Sequence, residues 1–120
     1  LSFCASEINR YRAAAGVGPL ARSGALEAFA AAAIEYDHKA RLPHAYFTTT
    51  NGGNGVSRAQ NQLLLWKGYA VNEVIRLGLA RMWAEGEQGS HRQTMTGPYT
   101  EVGCGVFLSG TEVSVSQDFR

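Results

Sequence analysis

Residues 101–119 read EVGCGVFLSGTEVSVSQDF, and apolar residues alternate with small or polar residues along most of this stretch. The residues that share one face in such an alternation are Val102, Cys104, Val106 and Leu108, then Val113, Val115, Gln117 and Phe119. A period of two predicts two β-strands. Ser109-Gly110 between them is a turn signal, so the stretch predicts an antiparallel hairpin. We also expect Gly103 and Gly105 to lie where the backbone of another element approaches closely.

The earlier part of the chain shows the periodicity of helices. Apolar residues recur at steps of three and four from Leu1 to about Ala15, and again from about Ala70 to Ala84. Ser23 is a plausible N-cap for another helix. We expect that helix to bury Leu26, Phe29, Ala30, Ala33 and Ile34, with Glu27, Glu35 and Asp37 facing water. Helices first and a hairpin last predict an α+β fold.

Two segments between these helices are less regular. Between His38 and Ala59 the helical period is lost in a run of threonines and the sequence NGGNG, which we interpret as a loop with flexible turns. No Gly-Lys-Ser/Thr follows these glycines, so they do not predict a phosphate-binding loop. Leu63 to Trp66 is a short apolar run that fits either a buried strand or a turn of helix.

Composition excludes several classes of protein. The 120 residues are 45% hydrophobic and carry a formal net charge of +1, which suits one compact domain over residues 1–120. Basic residues are scattered, so no nucleic-acid partner is expected. No apolar run approaches the roughly 18 residues of a transmembrane segment, and no signal peptide is recognisable in this chain.

The two cysteines are Cys4 and Cys104, which lie far apart without any Cys-x-x-Cys spacing. This spacing does not predict a structural zinc site or a redox motif. One disulfide and two buried thiols both remain open.

The order of several short motifs resembles the CAP superfamily, also called the SCP domain. This superfamily comprises cysteine-rich secretory proteins, antigen 5 and pathogenesis-related 1 proteins. The motifs are Ile8-Asn9-x-Tyr11-Arg12, Gly16-x-x-Pro19-Leu20, His44, Gln60-Asn61, Met82-Trp83, His91, Val102-Gly103-Cys104-Gly105 and Gln117-Asp118-Phe119. The likeness is greatest to compact bacterial-type members. It implies an α-β-α sandwich, with a mostly antiparallel central sheet flanked by helices, in a protein of the extracellular space or cell envelope.

The resemblance also implies a cleft with two histidines and two glutamates. By position these are His44, His91, Gln60 in place of the first glutamate, and Glu85, with Glu87 as the alternative to Glu85. Two imidazoles and a carboxylate suit zinc or another divalent cation, for which His44 and His91 are the expected ligands. A glutamine cannot act as a general base, and we expect Gln60→Glu to strengthen binding of the cation.

We interpret the chain as a secreted, non-catalytic binding module whose cleft of His44, Gln60, Glu85 and His91 takes a divalent metal or a small apolar ligand. An extracellular protein or the cell wall is the alternative partner. A metal-dependent, protease-like hydrolase using the same cleft is a second hypothesis, although no serine or cysteine nucleophile is recognisable. A structural scaffold that presents a surface to a partner is the third. His38 is expected to have a structural role near the end of its helix, where it would interact with the terminal carbonyls.

Overall fold

The computed structural model describes all 120 residues, which form five helices and four strands. In chain order the elements are α1 (Ser2–Ala14), β1 (Ala21–Arg22), α2 (Gly24–Ala40), α3 (Ala45–Gly55), β2 (Ala59–Lys67), α4 (Val71–Ala84), α5 (Ser90–Met95), β3 (Glu101–Ser109) and β4 (Glu112–Phe119). The predicted α+β class is confirmed. None of the helices has the length and hydrophobicity needed to span a bilayer.

The four strands form one sheet in the order β1-β3-β4-β2. The predicted hairpin is the antiparallel pair β3–β4, in which Ser109 lies opposite Glu112. Its turn is Gly110-Thr111, one residue later than expected, and Gly110 has a φ of +58°. Strand β2 is antiparallel to β4, and only the short β1 pairs in parallel. The ambiguous run at Leu63 is therefore a strand, with a bulge between Leu63 and Trp66.

Helices cover both faces of the sheet, as the resemblance implies. Val102, Cys104, Val113, Val115 and Phe119 point from β3 and β4 into the core formed with α1, α4 and α5. On this face Cys4 and Cys104 form a disulfide between α1 and β3. A covalent loop of this length stabilises the fold by about 4–5 kcal/mol in the loop-entropy model.

Helix α2 packs directly on the backbone of β3 at two glycines. A Cβ atom on Gly103 would lie 2.5 Å from Leu26 Cβ, and one on Gly105 would lie 2.6 Å from Ala30 O. Two residues of strand span about 6.8 Å and four residues of helix about 6 Å, so α2 runs along β3. The predicted close approach at both glycines is confirmed.

A buried arginine connects the first helix to the segment between α5 and β3. Arg12 is 3% exposed, and its Nη1 donates to Met95 O at 2.8 Å and to Gly97 O at 2.9 Å. Its Nε donates to Gly18 O at 2.7 Å. Burial lowers the pKa of this guanidinium, and backbone carbonyls supply the acceptors that water would otherwise provide. Arg12 therefore helps to fix the end of α5.

The prediction of a loop between His38 and Ala59 is wrong. Helix α2 continues to Ala40, and α3 begins at Ala45. Within α3 the residues of the sequence NGGN, 51–54, have φ values from +52° to +66° and form a left-handed turn. Asn and Gly are the residues that tolerate this conformation. The turn is held by packing, since a Cβ on Gly53 would lie 2.6 Å from the ring of Phe29.

The expectation that Asp37 faces water is also wrong, because its side chain is fully buried. Asp37 Oδ1 accepts a hydrogen bond from the backbone N–H of Tyr46 at 3.0 Å, and Oδ2 accepts one from Gln62 Nε2 at 2.7 Å. Both donors come from the elements that cover the end of α2. Because residues 38–59 were expected to form a loop, the sequence predicted no element that would bury Asp37.

Candidate functional site

His44 and Gln60 are in contact. His44 precedes the first residue of α3 with a φ of +59°, and its backbone N–H donates to Gln62 Oε1 at 2.9 Å. Its ring Nδ1 lies 2.8 Å from Gln60 Oε1. Gln60 and Gln62 are two residues apart on β2, so their side chains share one face of the sheet. That face holds the histidine through both its backbone and its ring.

The Gln60 amide has only one orientation that satisfies its neighbours. Gln60 Nε2 lies 3.0 Å from Asp118 Oδ1 and 3.3 Å from Oδ2. A carboxylate offers only acceptors, so the NH₂ group must face Asp118 and the carbonyl oxygen must face His44. His44 therefore donates from Nδ1. The neutral ring then carries its lone pair on Nε2.

Asp118 is a buried acid that the sequence reasoning did not include in the site. Its carboxylate accepts hydrogen bonds from Ser57 Oγ at 2.6 Å and Ser116 Oγ at 2.9 Å, in addition to Gln60. Burial raises the pKa of Asp118 to about 6, although the hydrogen bonds from Ser57, Ser116 and Gln60 act in the opposite direction. Asp118 and Ser116 are two residues apart on β4, so their side chains lie on the same face of the sheet.

Glu85 and His91 form a second pair at the other end of the predicted set. His91 lies in the first turn of α5, and its Nδ1 is 2.6 Å from Glu85 Oε2. Its backbone N–H donates to Glu85 Oε1 at 3.1 Å. Hydrogen bonding from His91 lowers the pKa of Glu85, so the carboxylate is ionised and the ring Nδ1 is the donor. Glu85, and not Glu87, is the acid in contact with His91.

The two pairs meet at the beginning of β2 but do not share a hydrogen bond. Gln60 contacts His44, and the next residue, Asn61, donates from Nδ2 to His91 O at 3.0 Å. The structure thus brings together His44 with Gln60 and His91 with Glu85, and it joins the pairs only through the backbone of β2.

The donor chemistry of both pairs fits a divalent cation. In each pair an oxygen acceptor binds Nδ1, which leaves Nε2 as the nitrogen with a lone pair. Histidine ligands of metals commonly have their second nitrogen fixed in this way. The structure contains no group of three or more His, Cys, Asp or Glu side chains arranged to hold a metal ion. The nitrogen that each ring leaves without a hydrogen-bond partner in its pair is therefore Nε2.

His38 lies in a different polar cluster that superficially resembles a catalytic triad. Its Nδ1 is 2.7 Å from Ser114 Oγ, and its Nε2 is 3.7 Å from Glu112 Oε1. Ser114 is fully buried and also accepts from the backbone N–H of Leu65 at 2.9 Å. No substrate reaches a hydroxyl in that position. The cluster connects α2 to the sheet, and its partners are side chains and not the helix-terminal carbonyls that we expected.

Two cavities lie outside the His/Gln/Glu residues. The larger is an open groove of about 810 Å³ on the outer surface of α2, lined mainly by apolar atoms. Its lining residues are Ala31, Ala32, Glu35, Tyr36, Lys39, Ala40 and Tyr46. The smaller cavity, of about 270 Å³, is bordered by Glu87 and Arg92 among others. Neither is lined by any residue of the two pairs.

Comparisons with known proteins agree with this architecture. A cysteine-rich secretory protein from Staphylococcus aureus subsp. aureus Mu50 matches 98% of the chain with a TM-score of 0.58 and 15% identity, but the match spans only 37% of that protein. An outer surface protein from Borrelia burgdorferi matches 99% of the chain and 90% of its own length, with a TM-score of 0.63 and 14% identity. At these identities the likeness establishes the fold alone. No curated protein matches the chain. The model of the CAP family, described as the cysteine-rich secretory protein family, matches residues 5–119, and the chain belongs to that family.

Proposed function

We propose that this CAP domain is a non-catalytic binding module in which His44 and His91 bind a divalent cation, with Zn²⁺ as the best match. The observation that carries the proposal is the engagement of Nδ1 in both rings, at 2.8 Å by Gln60 and at 2.6 Å by Glu85. Each ring is thereby held with a free lone pair on Nε2, the atom that would coordinate the cation. Imidazole nitrogens suit Zn²⁺, and water completes the coordination when the protein supplies few ligands.

The absence of a suitable base at position 60 supports binding without catalysis. Hydrolysis by a metal-bound water needs a group that accepts the proton of that water. Gln60 cannot do so, and Asp118 behind it is buried and already accepts from three side chains. Glu85 is the remaining acid of the set, and it is hydrogen-bonded to His91.

Calorimetric titration of the metal-free protein with Zn²⁺ tests the proposal. We expect His44→Ala and His91→Ala each to weaken binding at least ten-fold if both rings hold one ion. Glu85→Gln, which removes the charge behind His91, should weaken binding by about 10- to 100-fold. Glu87→Gln is the matched control and should leave the affinity unchanged. Zinc binding that survives both alanine substitutions would refute the role of the histidines and favour a purely structural scaffold.

A small apolar ligand in the groove on α2 is a second candidate function. The groove volume of about 810 Å³ lies within the range of small-molecule sites, and Tyr36 at its border is 51% exposed. Titration with a hydrophobic fluorescent dye tests it: Ala32→Glu, which places a charge in the groove, should abolish the signal. Ala28→Glu, on an exposed part of α2 outside the groove, should not. Equal dye binding by both variants would exclude the groove.

We assign the protein to the extracellular space or cell envelope, where an extracellular protein or the cell wall is the corresponding partner. The Cys4–Cys104 disulfide supports this location, because disulfides persist in oxidising compartments. Fractionation of cells that produce the native protein, followed by immunoblotting, tests the location. Detection only in the cytoplasmic fraction would refute it.

A further inference from the structure

A buried acid lies directly behind the residue that contacts His44. Asp118 is opposite Gln60 in the antiparallel register of β2 and β4, and the two side chains are 3.0 Å apart. Ser57 and Ser116 donate to the same carboxylate, so its position is fixed independently of Gln60. The Asp118 carboxylate, the Gln60 amide and the His44 ring thus form a continuous chain of hydrogen bonds.

This chain determines which nitrogen of His44 carries the proton. If the Gln60 amide were rotated by 180°, its carbonyl oxygen would face the carboxylate and its NH₂ group would face His44 Nδ1. The Gln60 carbonyl oxygen would then oppose the buried Asp118 carboxylate, so two acceptors would face each other and a buried group would lose a hydrogen bond, which is costly. The ring would also have to accept on Nδ1 and would protonate Nε2 instead. Asp118 therefore disfavours the tautomer that lacks an Nε2 lone pair.

The backbone of His44 is held by a second pair of the same composition. Gln62 accepts from the His44 backbone N–H at 2.9 Å and donates to Asp37 at 2.7 Å. Both acids are fully buried, and both glutamines lie on the same face of β2. One Asp–Gln pair thus fixes the position of the residue, and the other fixes the orientation and tautomer of its ring.

We infer that Asp118 is a positioning residue for His44, which acts through the Gln60 amide to hold the ring in its Nδ1–H tautomer with the Nε2 lone pair available. The preferred tautomer follows from the hydrogen bonds alone, whereas the use of the Nε2 lone pair rests on the proposed cation-binding function. It also explains how a glutamine serves at a position where the resemblance implies a glutamate. The acid lies one amide further from the imidazole, on the neighbouring strand.

Long-range ¹H–¹⁵N NMR on the metal-free protein at pH 8 measures the tautomer directly. We expect wild-type His44 to be at least nine-tenths in the Nδ1–H form. In Asp118→Ala the amide loses its acceptor, and the fraction of the Nε2–H form should rise several-fold. Ser57→Ala removes a hydrogen bond to the same carboxylate without touching Gln60, so it should leave the tautomer unchanged.

Two results would overturn the inference: an Nε2–H ring in the wild-type protein, or an unchanged Nδ1–H ring in folded Asp118→Ala. If Asp118→Ala does not fold, the wild-type spectrum decides. Because no metal is present, the outcome is separate from the zinc titration. An Nδ1–H ring in a protein without zinc affinity would remove the proposed cation and retain the positioning role. Zinc binding by a protein with an Nε2–H ring at His44 would remove the positioning role alone.

Discussion

Gly105→Ala perturbs the contact between α2 and β3 at one atom. The new methyl group would lie 2.6 Å from Ala30 O, whereas ordinary van der Waals contact begins at about 3.4 Å. Its other close neighbours are backbone atoms of Ala30 and Ala31, so no side-chain rotation relieves the overlap. Helix α2 must move away from the sheet by about 1 Å, which weakens the packing of its other buried side chains against the sheet.

The magnitude follows from two opposing effects. Inserting a methyl group into a tightly packed interior costs about 1–3 kcal/mol. Replacing glycine by alanine returns about 0.5–1 kcal/mol, because the unfolded chain loses freedom. We expect a net loss of about 1–2 kcal/mol in the free energy of unfolding, equivalent to a fall in Tm of about 4–8 °C for a chain of this size.

Thermal unfolding followed by circular dichroism measures the change. Gly18→Ala is the matched control, since a Cβ at Gly18 has no neighbour within 4 Å and its φ is not positive. The control should unfold at or above the wild-type temperature. If Gly105→Ala and Gly18→Ala both melt within 1 °C of the wild-type protein, the inferred backbone contact does not limit stability and the reasoning fails.

Three further changes concern buried polar groups near the sheet. Burial raises the pKa of Asp118 from 3.8 to about 6, so between these pH values the folded protein holds a proton that the unfolded chain has released. The free energy of unfolding should therefore fall by about 2 kcal/mol from pH 4 to pH 7 relative to Asp118→Asn in urea titrations. A constant difference between the two proteins would contradict this. The fully buried Gln117 amide has no hydrogen-bond partner for either of its polar atoms. Gln117→Met should therefore raise the free energy of unfolding, measured by chemical denaturation, by about 1 kcal/mol. A lower free energy of unfolding in the variant would mean that the amide is hydrogen-bonded in the wild-type protein. Gln60→Glu places a second acid against Asp118, at a position where the present side chains are 3.0 Å apart. We expect a lower Tm than wild type at pH 8 without metal, because two like charges then face each other, and tighter Zn²⁺ binding than wild type. Equal affinities of the two proteins in calorimetry would count against the proposed site.

Local periodicity was sufficient to predict most of the helices and the hairpin. In α1, α2 and α4 the buried residues recur at helical spacing, and in β3 and β4 apolar residues alternate with small or polar ones, so each element can be recognised without its neighbours. Helix α3 was missed because threonines, asparagines and glycines give no apolar stripe. Its left-handed turn depends on packing against Phe29, which no local pattern reveals.

The candidate site was predictable only where the family motifs name its residues. The Glu85–His91 pair spans six residues and is held by the turn before α5, so its contact is nearly local. Asp118 could not be identified from spacing, because its partner Gln60 is 58 residues away and reaches it only through the pairing of β2 with β4. The disulfide was undecided for the same reason. Distance along the chain says nothing about which strand will lie beside which helix.

The disulfide between Cys4 and Cys104 makes a covalent ring of most of the polypeptide. A protease that cuts the backbone once inside this ring, for instance at the turn bearing the 40% exposed Tyr69, releases no fragment. The nicked molecule migrates as two pieces on a gel only after a thiol has been added. In surroundings rich in proteases, a single cleavage therefore leaves α1 attached to β3 and both halves of the sheet in one molecule.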